Sequence, residues 1–124
     1  MERFKKNECY TRKEIHTLLG GSIVSYLPTV NRTVVAGCFR LDTNPDAPDI
    51  ILPGNGQLIK KTAELFASSK VIVPVFIKRN IEKWCYAGNF RVSNLRTDKD
   101  EIKRYAQRTG RTDISSILYL EEVN

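Results

Sequence analysis

The stretch of residues 49–92 constrains the fold of this chain more than any other part of the sequence. It opens on a strand end and the turn PGNG, residues 53–56, and continues over 57–68 with apolar residues at helical spacing. Two runs rich in β-branched and aromatic residues follow, at 71–79 and 83–92, and are typical of strands. A helix between strands predicts a domain of mixed α and β structure.

The flanking segments add a helix and a strand on either side. The pattern Thr11-x-x-Glu14 is a capping box, and the helix that it starts is expected to end at Gly20. Pro74 lacks a backbone N–H, which places its strand near an edge or a bulge. The other predicted elements are a strand at 33–41, a helix to about 109 that Asp98 with Glu101 can cap, and a last strand at 114–122. A chain of 124 residues fits one domain.

Residue types that make catalytic or metal sites are scarce. His16 is the only histidine and is predicted on the exposed side of the first helix. Cys9, Cys38 and Cys85 are odd in number and contain no CxxC pair, so we interpret each as an ordinary thiol, without a disulfide or a zinc site. We therefore expect no metal, no cofactor and no catalytic residue.

A nuclease is the nearest enzymatic interpretation. Asp49, Glu101 and Lys103 are of the types that hold Mg²⁺ and polarise water. Glu101 and Lys103 fall in a predicted helix, however, where residues two apart do not face the same way. The PGNG turn also lacks the Gly-Lys-Ser/Thr ending of a P-loop. The prediction is a binding module and not an enzyme.

Charge is distributed unevenly along a chain of net charge +6. Residues 78–111 contain ten Lys or Arg against four acids, whereas Asp42, Asp46 and Asp49 lie in a loop without basic residues. Clustered bases attract phosphates, although a solvated surface is the alternative interpretation. No apolar run is long enough for a membrane span and the first residues do not have the pattern of a signal peptide, so a cytoplasmic location is predicted.

The order of motifs in residues 49–92 resembles the SRA domain of the PUA-like superfamily. The matching segments are DIILPGNG at 49–56, PVFIKR at 74–79 and WCYAGNFRV at 84–92. In SRA domains an aspartate-led strand, a glycine turn and a helix precede a "PVRV"-like and a "YDGLY.V"-like strand. The segment YTRKEIHTLLGG is also similar to the start of modification-dependent restriction proteins. The resemblance implies an α+β domain over 11–124 with a curved mixed sheet or partial barrel and two or three helices, behind a flexible segment 1–10.

The resemblance also implies a function, because SRA domains bind modified cytosine in DNA. Such a base is flipped into a pocket, where it stacks on an aromatic wall and its amino group donates to a carboxylate. SRA domains have an aromatic residue before the glycine turn, where this chain has Leu52-Pro53, so Tyr26 is expected to supply a face. The predicted base pocket is Tyr26, Asp42, Asn44, Asp46, Asp49, Pro53, Gly54, Asn55 and Trp84. The predicted contacts to the DNA backbone are Arg32, Arg40, Lys78, Arg79 and Arg91.

Several alternatives stay open at this point. An RNA-binding PUA-like domain would have the same fold and basic surface, and a small protein-interaction module would use the acidic loop. The loop acids are equally explained as turn formers around two prolines, and core packing is the favoured role for Trp84. The implied partner is DNA with a modified base, most simply 5-methylcytosine, together with a nuclease partner or, in relatives, a fused effector of a restriction-modification system.

Overall fold

The structure is a computed structural model that describes residues 3–124. Over this range the chain forms three helices and a six-stranded sheet, with a separate two-stranded ribbon. The strands are β1 Cys9–Tyr10, β2 Thr29–Val30, β3 Thr33–Val34, β4 Gly37–Arg40, β5 Ile50–Ile51, β6 Val73–Asn80, β7 Lys83–Arg96 and β8 Ile117–Glu122, and the helices are α1 Arg12–Leu19, α2 Gln57–Ser69 and α3 Lys99–Thr109. The predicted α+β class is confirmed.

The long strand β7 organises the sheet. The strand order is β4-β6-β7-β8-β5, and β1 pairs with β7 outside this path. β4 runs parallel to β6, while the other pairs are antiparallel, so the sheet is mixed as predicted. Pro74 lies next to a register shift between Val75 and Phe76, which agrees with the predicted bulge. The ribbon β2-β3 turns at Asn31 and Arg32, both with positive φ.

The residue patterns at the ends of α1 and at the start of α3 form the caps that the sequence predicts. The Thr11 side chain accepts from the Glu14 N–H at 3.0 Å, and the Thr11 N–H donates to the Glu14 carboxylate at 2.9 Å, which completes the capping box. α1 ends at Gly20, whose φ of 86° is a backbone conformation that glycine adopts readily. Asp98 caps α3 by accepting from the N–H groups of Asp100 and Glu101. His16 is exposed, as predicted.

Each face of the sheet has its own core, because side chains alternate along a strand. Val75 and Ile77 of β6 point into the larger cluster with Phe66 of α2, whereas Phe76 between them points into a second cluster with Ile15 of α1. Trp84 also belongs to the second cluster and is 7% exposed. α2 therefore packs on one face and α1 on the other.

Two residues of the segment 1–10, which the sequence predicts to be flexible, pack in this second core: Phe4 and Tyr10. Phe4 is 4% exposed, and its ring centroid lies 5.0 Å from that of Phe76 and 5.1 Å from that of Tyr10. The segment ends in β1, which pairs with β7. Met1 and Glu2 lie outside the described residues. One apolar side chain in a polar stretch was too weak a signal to predict this packing.

The prediction of three ordinary thiols is wrong for two of them. Cys9 and Cys85 face each other in the register of β1 and β7 and form a disulfide across 76 positions of sequence. Cys38 is a free, buried thiol, and burial raises its pKa to about 12. Disulfides are typical of oxidising compartments, and the cytoplasmic location stays a prediction. Of the helices formed by the described residues, none has the length and apolar character needed to cross a bilayer.

Candidate functional site

A cavity of about 560 Å³ opens beside the N-terminal end of α2. Four segments line it: residues 22–29, the turn residues 43–44, the stretch 52–62 and residues 111–113. Its volume is in the range of small-ligand pockets, which run from about 300 to 1,000 Å³. Most of the surface of the wall is apolar, although polar side chains also line it, and the lining residues Val24 and Leu58 are 85% and 72% exposed. The cavity therefore combines an apolar interior with access from solvent.

Tyr26 forms one wall and is held from two sides. Its hydroxyl donates to the Ile59 carbonyl at 2.6 Å and accepts from Thr62 Oγ1 at 3.3 Å. Its ring lies 6.5 Å from that of Phe39, centroid to centroid. Burial raises the pKa of Tyr26 to about 12, so the hydroxyl is protonated at neutral pH. Because the hydroxyl is occupied, the ring is the part of Tyr26 that is available to a ligand.

Asn44 and the PGNG turn form the wall next to Tyr26. Asn44 is buried, and its side-chain oxygen accepts from the Leu52 N–H at 2.8 Å. Its amide group donates to Thr43 Oγ1 at 3.2 Å. These bonds fix Leu52 and Pro53 as an apolar surface of the cavity. Asn44 therefore shapes the wall, and its own polar groups already have protein partners.

The wall continues with Arg111 and Asp113, which were not predicted from the sequence. Arg111 Nη1 donates to the carbonyls of Thr43 at 2.9 Å and Leu52 at 2.8 Å, and its Nε donates to Asp113 at 2.9 Å. One guanidinium thereby ties together three of the segments that line the cavity. The hydrogen bond from Arg111 lowers the pKa of Asp113, so this carboxylate is ionised at neutral pH. Both Asp113 oxygens accept from Arg111, Oδ1 from Nε at 2.9 Å and Oδ2 from Nη2 at 3.2 Å, and with half of its side chain exposed the carboxylate retains lone pairs for a further donor.

Gly54 permits the close approach of this carboxylate to the turn. A Cβ atom at residue 54 would lie 2.8 Å from Asp113 Oδ2. Any larger residue would displace the carboxylate or the turn. The only sequence signal for the pair was an arginine and an aspartate after the helix-ending Gly110, and that signal is too common to point to a site.

Four of the nine predicted pocket residues line the cavity, and five do not. Tyr26, Asn44, Pro53 and Gly54 lie in its wall. Asp42 pairs with Arg40 at 2.7 Å and Asp46 with Arg108 at 2.8 Å, because each acid has an arginine within reach on the outer surface. The hydrogen bond from Arg40 lowers the pKa of Asp42. The remaining three residues lie elsewhere: Asp49 and Asn55 are exposed, and Trp84 lies in the second core.

Three of the residues predicted to contact the DNA backbone border a shallow depression, which is basic on balance although Asp42, the partner of Arg40, also lines it. Arg40, Lys78 and Arg79 border it, at the carboxyl ends of the parallel strands β4 and β6. The depression and the cavity share one turn, since the Asn44 N–H donates to the Arg40 carbonyl at 2.9 Å. Of the other two residues, Arg32 lies at the tip of the β2-β3 ribbon, and Arg91 pairs with Glu121 at 2.6 Å.

The residues considered for a nuclease do not form one site. Glu101 is held by Arg96 at 2.6 Å and accepts from the Tyr119 hydroxyl at 3.1 Å, while Asp49 is exposed beside β8. Within residues 3–124, no group of three or more His, Cys, Asp or Glu side chains is arranged to hold a metal ion.

Comparison with known proteins shows what the chain is similar to. No protein-family model matches the sequence, and no curated protein matches it. A solved structure described as "Crystal structure of SUVH5 SRA- hemi methylated CG DNA complex" superposes with a TM-score of 0.63 at 15% sequence identity, covering 99% of this chain and 90% of that chain. At this identity the likeness establishes the fold. The predicted SRA-like architecture is therefore confirmed.

Proposed function

We propose that this domain binds DNA that carries a modified base, most simply a modified cytosine such as 5-methylcytosine, and takes that base into the cavity. The observation that carries the proposal is the placement of an open, largely apolar cavity next to a basic depression, on an SRA-like fold. The solved SRA domain is itself in complex with hemimethylated DNA. In this proposal the chain supplies recognition without catalysis, and a nuclease partner would supply cleavage in a restriction system.

The cavity walls match what a flipped base needs. Extruding a base costs a few kcal/mol, which stacking and hydrogen bonds must return. The ring of Tyr26 offers a stacking face, and Leu52 with Pro53 offers an apolar surface in the same cavity. An apolar surface also favours a methyl or similar group on the base, because burying that group removes it from water.

Base identity would be read by the carboxylate of Asp113. An ionised carboxylate accepts hydrogen bonds and does not donate them, so it pairs with the exocyclic amino group of cytosine and not with the O4 of thymine. The lowered pKa of Asp113 keeps it in this state at neutral pH. Asp113 takes the role that the sequence suggested for Asp42, Asp46 or Asp49.

A binding panel tests this function. Duplexes that are identical except for plain, methylated or hydroxymethylated cytosine are compared with single-stranded and structured RNA, all at the same salt concentration. Tighter binding to one modified duplex supports the proposal. Preference for RNA would instead favour an RNA-binding domain, and indifference to all nucleic acids would leave a protein-interaction module.

Asp113→Asn should reduce affinity for the modified duplex by about tenfold or more, because a hydrogen bond to a charged group contributes about 1.5–3 kcal/mol. The substitution keeps the size and replaces one acceptor oxygen by a donor. Asp49→Asn is the matched control, since Asp49 is exposed and does not line the cavity. Titrations on both variants should show a loss for Asp113→Asn alone. Equal affinities for the two variants would remove Asp113 from the reading site.

Lys78 and Arg79 are proposed to contact phosphates that flank the flipped base. Replacing both by Ala should weaken binding to plain and modified duplexes alike and reduce the slope of log affinity against log salt by about one per lost contact. Selectivity should be unchanged, because phosphate contacts do not read bases. Lys13→Ala, on the exposed face of α1, is the control. An equal change of slope in Lys13→Ala would indicate a diffuse effect of net charge and not a contact at the depression.

A further inference from the structure

The least expected charge in the structure is Arg12, in the first turn of α1. Its exposed fraction is 7%, and no carboxylate among residues 3–124 lies within ion-pair distance of it. Its Nε is buried without a hydrogen-bond partner in the same range. A buried charge without a counter-charge is costly, and an apolar residue of similar size is often more stable. The contacts that compensate for this charge therefore indicate what Arg12 does.

Two sets of contacts hold the guanidinium. It stacks on the ring of Trp84 at 5.1 Å from the centroid, a cation–π contact. Its Nη2 donates to the carbonyls of Ser22 at 2.9 Å and Ser25 at 2.8 Å. One nitrogen thus bridges both ends of the turn 22–25. The same turn is closed from inside by Ser22 Oγ, which accepts from the N–H groups of Val24 and Ser25, each at 3.0 Å.

This turn is part of the cavity wall. Ser22, Val24 and Ser25 line the cavity, and Tyr26 follows directly in the chain. In the segment between α1 and β2, the Tyr26 carbonyl accepts a backbone hydrogen bond from the Cys38 N–H at 2.8 Å, whereas the turn 22–25 is held by side-chain bonds, so the position of this turn depends on them. The platform below Arg12 is fixed, because Trp84 pairs with Tyr10 in the sheet and the Cys9–Cys85 disulfide lies one residue away. Arg12 therefore connects a rigid sheet to the turn 22–25, the part of the cavity wall that side-chain bonds hold.

We infer that Arg12 is a positioning residue for the cavity, and that it sets selectivity for the modified base by holding the turn 22–25 that precedes Tyr26 in the cavity wall. The selectivity part rests on the proposed function. Arg12 does not touch the ligand in this arrangement. A guanidinium suits the task because it is planar, stacks on an aromatic ring and donates along fixed directions, whereas the ammonium of lysine is a compact charge on a flexible stem.

The test uses Arg12→Met and Arg12→Lys in the full chain. Two quantities are measured: amide hydrogen exchange of Val24 and Ser25 in the free protein, and the ratio of affinities for modified and plain duplex. In Arg12→Met, exchange at both amides should rise about tenfold or more and the affinity ratio should fall by a similar factor. Binding to plain duplex should change little. In Arg12→Lys the exchange rates and the affinity ratio should lie between those of the wild type and of Arg12→Met, because lysine retains a donor and a charge.

Arg3→Met is the matched control. Arg3 is exposed and donates to the Leu18 carbonyl at 3.1 Å, without contact to the turn 22–25. Both quantities should stay at their wild-type values in this variant. If Arg12→Met does not fold, amide exchange and the affinity ratio are measured on Arg12→Lys instead, since it is the milder change. Wild-type values of both quantities in Arg12→Lys would then overturn the inference.

The outcomes separate this inference from the proposed function. Unchanged exchange at Val24 and Ser25 overturns the positioning role, and raised exchange with an unchanged affinity ratio overturns the link to selectivity. If the wild-type protein does not prefer modified DNA, the proposed function and the selectivity link both fail. In that case the amide exchange of Val24 and Ser25 still tests whether Arg12 holds the turn.

Discussion

Replacing Cys9 by Ser is expected to lower the free energy of unfolding by about 4 kcal/mol under oxidising conditions. The disulfide joins residues separated by 76 positions, and closing a loop of that length in the unfolded chain removes entropy equivalent to about 4–5 kcal/mol. Small domains have a total stability of about 5–15 kcal/mol. The variant should therefore be marginally folded, and urea denaturation with and without a reducing agent measures the difference.

Two comparisons assign this loss to the disulfide itself. Reduced wild-type protein should unfold at the same urea concentration as Cys9→Ser, and the reducing agent should have no further effect on that variant. Cys38→Ala is the control, because Cys38 is a free buried thiol and its removal leaves the reductant-sensitive step intact. A wild-type protein whose thiols react fully with a labelling reagent after reduction, yet whose stability is unchanged, would contradict this assignment.

Tyr26→Ala is expected to remove most of the selectivity for the modified base. Loss of a stacking face costs about 1–3 kcal/mol per base, or about 5- to 150-fold in affinity. Binding to the modified duplex should fall toward the level of plain DNA, while binding to plain DNA changes little. Tyr26→Phe keeps the ring and removes only the hydrogen bond to the Ile59 carbonyl. It should therefore retain much of the selectivity.

A tyrosine outside the cavity provides the control for Tyr26. Tyr105 is half-buried on α3, and its hydroxyl lies 3.5 Å from that of Tyr119. Tyr105→Ala should lower thermal stability and leave the affinity ratio intact, as any structural tyrosine would. If Tyr26→Ala behaves in the same way, with reduced stability and an unchanged ratio, the stacking wall lies elsewhere.

The ends of the strands are a feature that the sequence patterns did not predict. Residues 33–41 have the composition of one strand, but β3 pairs with β2 and β4 pairs with β6, so the run is divided between two partners. β7 continues beyond Val92 to Arg96 because β8 pairs with it there. Strand ends depend on the length of the neighbouring strand, which a local pattern does not contain.

Only part of the cavity wall was expected from the sequence. Tyr26, Asn44, Pro53 and Gly54 were expected in the pocket and lie in the cavity wall. Arg111 and Asp113 were not predicted, because they reach Thr43, Leu52 and Gly54 only once β8 has paired with β5 and β7. The loop acids were expected to read the base, yet none of them lines the cavity, and Asp46 pairs on the outer surface with Arg108, which lies 62 residues further along the chain.

The sequence alone determined those features of this protein that depend on residues close together along the chain. The Thr11 capping box, the Asp98 cap and the helical spacing of α2 are satisfied within a few residues of backbone, so their patterns predicted them. Only the tertiary structure decided that Cys9 bonds to Cys85, that Arg111 presents Asp113 to the cavity and that Arg12 holds its wall. The disulfide joins residues 76 positions apart, Arg111 bonds to residues up to 68 positions away, and Arg12 stacks on Trp84. These contacts contribute energy only once the folded sheet has brought the distant residues together.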